Sequence, residues 1–519
     1  MDAVSFEEER RERSTAELPE LRALVTGGSG VIGKALIPGL LDAGYQVRLL
    51  GRSAERTVAD WPERAVEPWS ANVADPKSLE GAADGSDVVI HAAGIVAESS
   101  ADATFRKVNV EGTANMVREA ERGGVGWFIY LSSLGADRGS SGYHRSKREA
   151  ESLVEGFRGA WTILRPGNVY GPGDDVISSL LLLVRSFPAV PVVGGGDQSF
   201  QPMWTEDMTA AVVATLRRDD LAGRTLELAG TDRTSMNDLL DRLQRLEERD
   251  PPRVSVPAAL ADVAARAAES LPLAELIRRV AGVDFPLDPA RVAMLQEESV
   301  LEYAENDLVH VLGVTPVPLD DGLRRLAAAI PERLPEDGAG PLQRKRFSAL
   351  IADASMNAEQ LMTLLRRELT DLLPVDFLDG PAGRAVEAGD TLRLRLPGRG
   401  HVAVRAVRAT SEEVVLATVQ GHPLAGLVRF TAEVQAETLE FMIEVHARAS
   451  GLYDLFLMAA AGEGIQTSAW EEAVRRVVDR SKGRAPAGVQ VERAELDEEE
   501  ARAVQEWAAG LVRERKAGA

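Results

Sequence analysis

Residues 21–44, LRALVTGGSGVIGKALIPGLLDAG, decide the fold of the first part of the chain. A short apolar run leads into Gly27, Gly30 and Gly33 at Gly-x-x-Gly-x-x-Gly spacing, and an amphipathic stretch follows. In such a unit the first two glycines let the backbone turn tightly beneath a pyrophosphate, and the third lets the helix pack close to the strand. Free N–H groups and the positive dipole at the start of the helix attract the anion. The segment therefore predicts a strand, turn and helix that bind a dinucleotide.

The same alternation continues to about Gly230. Short apolar runs recur roughly 25 to 40 residues apart, with helix-like segments between them, as in a parallel sheet covered by helices on both faces. This pattern predicts an α/β fold with a Rossmann-type, doubly wound parallel sheet. The runs are LRALVTG, YQVRLLG, DVVIHAAG, GWFIYLSS, AWTILRP and RTLELAG.

The pattern changes after PERLPEDGAGPL, which is rich in proline, glycine and acidic residues. Such a composition is typical of a linker. We therefore expect four parts: a charged N-terminal tail at 1–20, a dinucleotide-binding domain at 21–330, a linker at 331–342, and a smaller α+β accessory domain at 343–519.

The accessory domain is predicted from its own periodicity. Residues 347–373 carry leucines and methionines at helical spacing, which is typical of a helix. From Thr391 onward, alternating runs about ten residues apart have no helix between them, which predicts an antiparallel sheet. Helices are expected again at 468–480 and 497–515.

The composition excludes several classes of function. The 519 residues carry 59 Lys and Arg against 81 Asp and Glu, a net charge of −22, and no cysteine. The chain therefore has no disulfide, catalytic thiolate or cysteine metal site, and its charge repels nucleic acid. The most apolar stretch, 177–193, is broken by Arg185, Pro188 and Pro191 and is too short to span a bilayer. We expect no targeting segment, no integral membrane segment, and a cytoplasmic location.

The end of the second predicted strand bears on which dinucleotide is bound. An acidic residue there would hold the ribose 2′-hydroxyl of NAD, but the sequence is LLGRSAER, with Arg52 and Ser53 at this point. An arginine pairs well with phosphate oxygens, so these residues favour NADP and its 2′-phosphate. NAD remains possible if Arg52 is only a solvated loop residue.

A second group of residues points to chemistry on an oxygen-bearing carbon. The segment WFIYLSSLGADRGSSGYHRSKREAE contains Ser132, Ser133, Tyr143 and Lys147. Tyr143 and Lys147 are four apart, so on a helix they share a face. A lysine ammonium beside a phenol stabilises the phenolate and lowers its pKa, which makes tyrosine usable as a general acid or base. Ser133, at a strand end, could donate a hydrogen bond to the same substrate oxygen.

At this point residues 21 to about 330 resemble the extended and atypical short-chain dehydrogenases/reductases of the NAD(P)-dependent epimerase/dehydratase superfamily. Besides the glycine turn, family motifs occur in order as ANVADPKSL, DVVIHAAG, NVEGTANMV, FIYLSS, YHRSK, LRPGNVYGPGD and QPMWTEDMTAAV. The resemblance implies a catalytic triad of Ser133, Tyr143 and Lys147, with Tyr143 as general acid/base and Lys147 binding the nicotinamide ribose. The cofactor-binding residues are Gly27, Ser29, Gly30, Val31, Ile32, Gly33, Arg52, Ser53, Asn72, Val73, Ala92, Ala93, Gly94, Asn109, Lys147, Pro166, Gly167 and Asn168.

Three residues of the family motifs need comment. Asn72 stands where the family often has Asp beside the adenine, and its amide oxygen can still accept that hydrogen bond. Tyr170, in NVYGP, is expected to pack rather than to react. His91 falls in a strand motif and is expected to be structural, and no histidines show metal-ligand spacing, so no metal site is predicted.

Two kinds of function follow from the resemblance. The segments after Gly230 are similar to the branch that contains the accessory NAD(P)H-binding subunit of respiratory complex I, some members of which catalyse nothing known. The chain is expected to be an oxidoreductase or epimerase acting on a small-molecule substrate, and a homodimer is possible. The alternative is a non-catalytic dinucleotide-binding regulatory or assembly protein. Its C-terminal domain, which faintly resembles polyketide-cyclase-like lipid-binding folds, would bind a partner or an apolar ligand.

Overall fold

The structure is a computed structural model that describes most of the chain. The described residues are 21–61, 64–98, 100–187, 189–193, 195–256, 299–302, 305–381, 383–396, 400–435, 437–451 and 463–517. Among them, no helix has the length and apolar character needed to cross a bilayer. The predicted tail at 1–20 and residues 257–298 lie outside the described residues.

A seven-stranded parallel sheet forms the centre of the N-terminal part. Its strands are β1 Arg22–Thr26, β2 Gln46–Gly51, β3 Val66–Ser70, β4 Val88–His91, β5 Trp127–Leu131, β6 Ala160–Pro166 and β7 Arg224–Leu228. Their order across the sheet is β7-β6-β5-β4-β1-β2-β3. Successive strands are therefore added in one direction from β1 to β3 and in the other direction from β4 onward. Ligands of such sheets bind at the carboxyl ends of the strands beside this switch point, between β1 and β4.

Helices cover both faces of this sheet, which confirms the predicted doubly wound fold. The helices of the N-terminal part are α1 Val31–Asp42, α2 Gly112–Arg122, α3 Gly142–Glu155, α4 Ile177–Ser186, α5 Thr205–Thr215, α6 Met236–Glu247 and α7 Leu319–Ala329. Strand β1 shows why both faces are buried: Ala23 and Val25 pack with α1 and α5, whereas Leu24 packs with α2 and α3. Strand β3, VEPWS, was not predicted because it is largely exposed and its apolar residues do not form a continuous run.

An eight-stranded antiparallel sheet forms the C-terminal region, as predicted for the fold class. Its strands are β8 Ala339–Ile351, β9 Asp376–Phe377, β10 Thr391–Leu396, β11 Gly400–Ala409, β12 Glu413–Thr418, β13 Leu424–Gln435, β14 Thr438–Ala449 and β15 Gln490–Glu495. Helices α8 Ala358–Leu372 and α9 Glu463–Arg480 pack on one face, and α10 Glu498–Ala517 packs on the other. The order of strands is β9-β10-β11-β12-β13-β14-β8-β15.

The predicted helix at 347–373 is wrong in its first third. Phe347, Ala349 and Ile351 belong to β8, where alternate residues enter the core and the backbone pairs with β14 and β15. The helix α8 begins only after Asn357, whose side chain accepts a hydrogen bond from the backbone N–H of Gln360. In Phe347–Ile351 every second residue is buried, which is the period of a strand, although the apolar content of this stretch suggested a helix.

The C-terminal sheet packs directly on helix α4 of the N-terminal part. Ala403 of β11 and Val419 lie in the same buried cluster as Leu180 and Leu183 of α4. Within the predicted linker at 331–342, buried Glu332 accepts a hydrogen bond from Arg405 at 2.9 Å. The domain boundaries themselves stay a prediction.

Candidate active site

The residues predicted to bind the dinucleotide follow the carboxyl ends of neighbouring parallel strands. The glycine turn follows β1, Arg52 follows β2, Asn72 follows β3, and Ala92, Ala93 and Gly94 follow β4. Ser133 follows β5, and Pro166, Gly167 and Asn168 follow or end β6. Because these strands are parallel, all of these residues lie at one edge of the sheet.

The glycine turn has no room for side chains at two of the predicted positions. Gly27 has a φ of +77°, and a Cβ there would lie 2.8 Å from the backbone of Ala92 and Ala93. A Cβ on Gly33 would lie 2.3 Å from the Cα of Gly28. Gly28 was not predicted, yet a Cβ on it would meet Leu49 at 2.2 Å. The turn is therefore held against the β4 loop, as a cradle for a phosphate requires.

The start of helix α1 is free to receive an anion. Gly30 precedes the helix, no side chain caps it, and its first turn has no acidic residue. Ser29 and Gly30 are exposed, while Val31 and Ile32 are half-buried. These are the features of a helix start that binds phosphate through backbone N–H groups.

His91 holds the loop after β4 in place. Its Nδ1 lies 2.8 Å from the hydroxyl of Thr26, its Nε2 lies 3.1 Å from that of Thr113, and the Thr26 hydroxyl accepts a hydrogen bond from the N–H of Ala93. Burial and the nearby Lys147 lower the pKa of His91 to about 3. The ring is therefore neutral and bound on both sides, consistent with the predicted structural role.

Asn109 joins the loop after β4 to the helix that carries Tyr143. Its Oδ1 accepts a hydrogen bond from the N–H of Ile95 at 2.8 Å, and its Nδ2 donates to the carbonyl of Ile95 and to the hydroxyl of Ser146, both at 3.0 Å. Asn109 is buried within a short π-helical segment, Arg106–Glu111. Such segments often mark functional sites.

The adenine end of the predicted site is more open. Arg52 is exposed, and in the described part of the chain it forms no hydrogen bond or ion pair. Ser53 is half-buried and precedes the short helix Ala54–Thr57. Asn72 is exposed, and its Oδ1 already accepts a hydrogen bond from the N–H of Ala74 at 3.1 Å, while buried Val73 fixes Asn115 through its carbonyl.

Tyr143 and Lys147 lie one turn apart near the start of α3, and both are buried. The ammonium of Lys147 donates a hydrogen bond to the carbonyl of Leu131 at 2.8 Å and lies 5.0 Å from the ring of Tyr130. It also borders Gly94, where a Cβ would lie 3.3 Å from Nζ. The structure therefore brings the pair to the loop predicted to contact the nicotinamide half of the cofactor.

The expected lowering of the Tyr143 pKa is wrong for the free protein. Burial raises the pKa of Tyr143, and a hydrogen bond with Ser133 only opposes this effect. Burial also lowers the pKa of Lys147 to about 8, against the attraction of Glu151. Lys147 donates its hydrogen bond to the Leu131 carbonyl, and its charge does not outweigh the effect of burial on the phenol. Tyr143 is therefore protonated at neutral pH.

The structure distinguishes the two serines at the end of β5. The Ser132 hydroxyl donates to the carboxylate of buried Glu151 at 2.6 Å. Ser133 is half-buried, and its hydroxyl makes a 3.4 Å contact with the Leu134 carbonyl, so it is the serine more available to a substrate. The sequence contained no signal for Glu151, because a carboxylate on a helix usually faces solvent.

The residues after β6 complete the far side of the crevice. A Cβ on Gly167 would lie 2.3 Å from the carbonyl oxygen of Gln201, and the carbonyl of buried Pro166 accepts a hydrogen bond from Leu134. The Oδ1 of Asn168 is buried and has no hydrogen-bond partner in the described part of the chain. Since a buried acceptor without a partner is costly, this atom fits a donor supplied by a ligand.

Two further features were not found from the sequence pattern. Phe105 packs on Tyr143 with ring centroids 6.1 Å apart, and Val96 is 38% exposed.

Tyr170 packs, as expected, with its ring centroid 5.2 Å from that of Trp204. Among the described residues, no group of three His, Asp or Glu side chains could hold a metal ion.

Comparison with known proteins confirms the predicted resemblance for the N-terminal part. Residues 23–229 match the NAD dependent epimerase/dehydratase family. The chain is 27% identical over 340 residues to the mitochondrial NADH dehydrogenase [ubiquinone] 1 alpha subcomplex subunit 9 of Arabidopsis thaliana, covering 61% of this chain and 82% of that protein. It is 32% identical over 194 residues to the ceramide reductase of Caulobacter vibrioides, covering 37% and 60%.

Other similar proteins are also reductases or epimerases. The 2-alkyl-3-oxoalkanoate reductase of Stenotrophomonas maltophilia is 27% identical over 216 residues, which cover 37% of this chain and 64% of that protein. Among solved structures, an epimerase of Methanothermobacter thermautotrophicus is 20% identical with a TM-score of 0.47, covering 60% of this chain and 91% of that one. The N-terminal part thus resembles NAD-dependent epimerases/dehydratases and reductases in sequence.

Proposed function

We propose that the chain is an NAD(P)-dependent oxidoreductase that interconverts a carbonyl and a hydroxyl group with a Ser133, Tyr143 and Lys147 site. The observation that carries this proposal is the buried Tyr143–Lys147 pair at the carboxyl edge of the parallel sheet. Ser133 lies within hydrogen-bonding reach of the phenol, and the loop holding Gly94 borders the ammonium. A buried, paired set of this kind in a crevice is typical of acid–base catalysis.

The residues present fit a dinucleotide. Gly27 and Gly33 let the turn pack closely, since a Cβ there would clash with the backbone of Ala92 or Gly28, no described side chain caps the start of α1, and the Oδ1 of Asn168 has no partner among the described residues. The glycine turn and α1 would hold the pyrophosphate, and Lys147 and Asn168 would lie at the nicotinamide end. When bound, the dinucleotide supplies or accepts the hydride at the substrate carbon.

The chain's own residues then move the proton. In the reducing direction, Tyr143 starts protonated because burial raises its pKa, and its hydroxyl gives the proton to the carbonyl oxygen as the hydride reaches the carbon. The Ser133 hydroxyl donates a hydrogen bond to the same oxygen. The charge of Lys147 stabilises the phenolate that Tyr143 becomes. In the reverse direction the phenolate takes the proton back from the hydroxyl group.

We further propose that NADP is preferred over NAD through Arg52. In an Arg52→Ala variant, the dissociation constant for NADPH should rise about tenfold or more, because hydrogen bonds to charged groups contribute about 1.5–3 kcal/mol. The dissociation constant for NADH should stay unchanged. Fluorescence titration of both dinucleotides measures this, and Arg56→Ala, an exposed arginine one turn further on, is the matched control. Tighter NADH binding together with an unaffected Arg52→Ala variant would contradict the preference.

We propose a carbonyl compound that bears an apolar alkyl chain as the substrate. Phe105 presents an apolar ring beside Tyr143, with the ring centroids 6.1 Å apart, and Lys107, two residues further on, is paired with Asp102 at 2.8 Å. Two similar proteins are named ceramide reductase and 2-alkyl-3-oxoalkanoate reductase, whose named substrates bear alkyl chains.

A substrate panel tests this function. NADPH oxidation at 340 nm should occur with long-chain β-keto esters or ketones and rise with chain length, since each buried methylene contributes about 0.8 kcal/mol. A UDP-sugar serves as the contrasting compound. Turnover of the UDP-sugar alone would refute the substrate class, and NADPH oxidation with neither compound class would argue against the enzyme.

A second candidate is a non-catalytic dinucleotide-binding assembly protein. It is favoured by the similarity to the NADH dehydrogenase subunit, which extends over more of this chain than the similarity to either reductase. Cofactor that copurifies with the protein and is oxidised by no carbonyl compound would support it. A role for the C-terminal region in binding a partner or apolar ligand also stays a proposal.

A further inference from the structure

Glu151 is a fully buried carboxylate that the proposed mechanism does not use. It lies on α3 one turn after Lys147, and its exposed fraction is 0%. Tyr143, Lys147 and Glu151 follow one another at intervals of four, so they lie along one face of the helix. An isolated buried carboxylate is strongly unfavourable, and its partners therefore show what it holds.

Both oxygens of Glu151 are bound by side chains from other elements. Arg165 of β6 donates from Nε to Oε1 and from Nη2 to Oε2, each at 2.8 Å. The Ser132 hydroxyl at the end of β5 donates to Oε1 at 2.6 Å, and Arg148 donates to Oε2 at 3.0 Å. Glu151 therefore connects α3 to the ends of two strands of the sheet.

The network also reaches the loop that follows Ser133. Arg165 also donates a hydrogen bond to the Oδ2 of Asp137 at 2.6 Å; burial acts to raise the pKa of Asp137, but the charges of Arg165 and Arg138 outweigh it and leave that pKa lowered. The segment from Ser132 to Asp137 is thus fixed at both ends to Arg165 or to its carboxylate partner. Ser133 lies inside this segment, so the direction of its hydroxyl depends on the network.

Glu151 is also the acidic group that acts on Lys147. The groups facing that ammonium are Tyr143 on its own helix, neutral His91 of β4, and Tyr130 and the Leu131 carbonyl of β5. None of these carries a negative charge at neutral pH. Burial lowers the pKa of Lys147, and the charge of Glu151, one turn along the same helix, opposes this effect.

We propose that Glu151 is a positioning residue of the site, which holds the Ser132–Ser133 strand end against α3 and keeps Lys147 charged. The inference rests on the proposed function for its effect on turnover, but its effect on Lys147 is independent of any reaction. The two roles can be tested separately. Loss of the hydrogen bond to Ser132 should affect turnover, and loss of the negative charge should lower the pKa of Lys147.

The charge role is tested with Glu151→Gln, which keeps a similar shape and an acceptor for Ser132. The pKa of Lys147, followed by NMR of ¹³C-lysine-labelled protein and assigned with Lys147→Arg, should fall by about one unit. The alkaline limb of the pH–kcat profile should move to lower pH by the same amount, since Lys147 loses its proton earlier. Glu155→Gln, which removes a partly exposed acid one turn further along α3, is the matched control and should leave both unchanged.

The hydrogen-bond role is tested with Ser132→Ala, which is small enough to fold if Glu151→Gln does not. We expect a five- to twentyfold lower kcat, with the KM for the dinucleotide and the alkaline limb unchanged. An unaltered Lys147 titration in folded Glu151→Gln, or unaltered kcat in Ser132→Ala, would overturn the proposal. If wild-type protein shows no Tyr143-dependent turnover, the proposed function fails while the Lys147 titration still decides the charge role.

Discussion

Replacing Tyr143 by phenylalanine is expected to lower kcat for carbonyl reduction by about 10² to 10⁴-fold, the usual contribution of a positioned general acid. The substitution removes one oxygen from a buried side chain whose ring packs on Phe105, so the packing stays and only the proton donor is lost. Dinucleotide affinity should remain within about twofold of the wild-type value, because the phosphate cradle does not involve this residue. Stopped-flow measurement of NADPH oxidation under single turnover gives the chemical step directly.

The control for this variant is Tyr170→Phe. Tyr170 is also a buried tyrosine of the N-terminal part, and its hydroxyl makes only a 3.4 Å hydrogen bond to the Leu319 carbonyl. It should retain wild-type turnover. Equal kcat of wild type and Tyr143→Phe would contradict the role of Tyr143 as proton donor. Loss of NADPH binding in Tyr143→Phe would show that the residue contributes to cofactor binding instead.

The parallel sheet could be predicted because its strands are buried on both faces. Ala23 and Val25 enter one core and Leu24 the other, so β1 reads as an apolar run and the glycine turn that follows it fixes the direction of the chain. β3 and β15 could not be found this way. Both lie at an edge of their sheet and are largely exposed, and their positions depend on hydrogen bonds to a neighbouring strand.

The site could be predicted as far as residue type and spacing determine it. Ser133, Tyr143 and Lys147 follow from motif and helical periodicity, and their assignment stays a proposal. The direction of the Tyr143 pKa shift could not be predicted from the sequence, because it depends on the burial of the phenol and on the hydrogen bond of Lys147 to the Leu131 carbonyl. Glu151 was missed for the same reason, since nothing local in a sequence tells a buried carboxylate from a solvated one.

The interface between the two parts of the chain depends on a second buried ion pair. Arg185 of α4 donates to Glu247 of α6 from Nε at 2.9 Å and from Nη2 at 2.7 Å, and the two side chains are 4% and 1% exposed. From the C-terminal sheet, the Nδ1 of His401 lies 2.9 Å from the backbone carbonyl of Glu247. The sequence suggested that Arg185 interrupts an apolar segment, but the arginine is buried with its partner, because β11 covers α4.

Glu247→Ala should therefore destabilise the protein by about 3–5 kcal/mol, since it leaves the Arg185 guanidinium buried without a counter-charge. Replacing both partners, as Arg185→Met with Glu247→Leu, should restore most of this loss, because an apolar pair of similar volume needs no desolvation of charge. Urea unfolding followed by tryptophan fluorescence measures the difference, with Trp204 in the same buried cluster as α4. An exposed acid on the same helix, Asp241→Ala, is the control and should shift the midpoint little. If Glu247→Ala unfolds at the wild-type urea concentration, the ion pair does not stabilise the interface, and the contact between α4 and the C-terminal sheet must rest on the apolar residues around Leu180 and Ala403 alone.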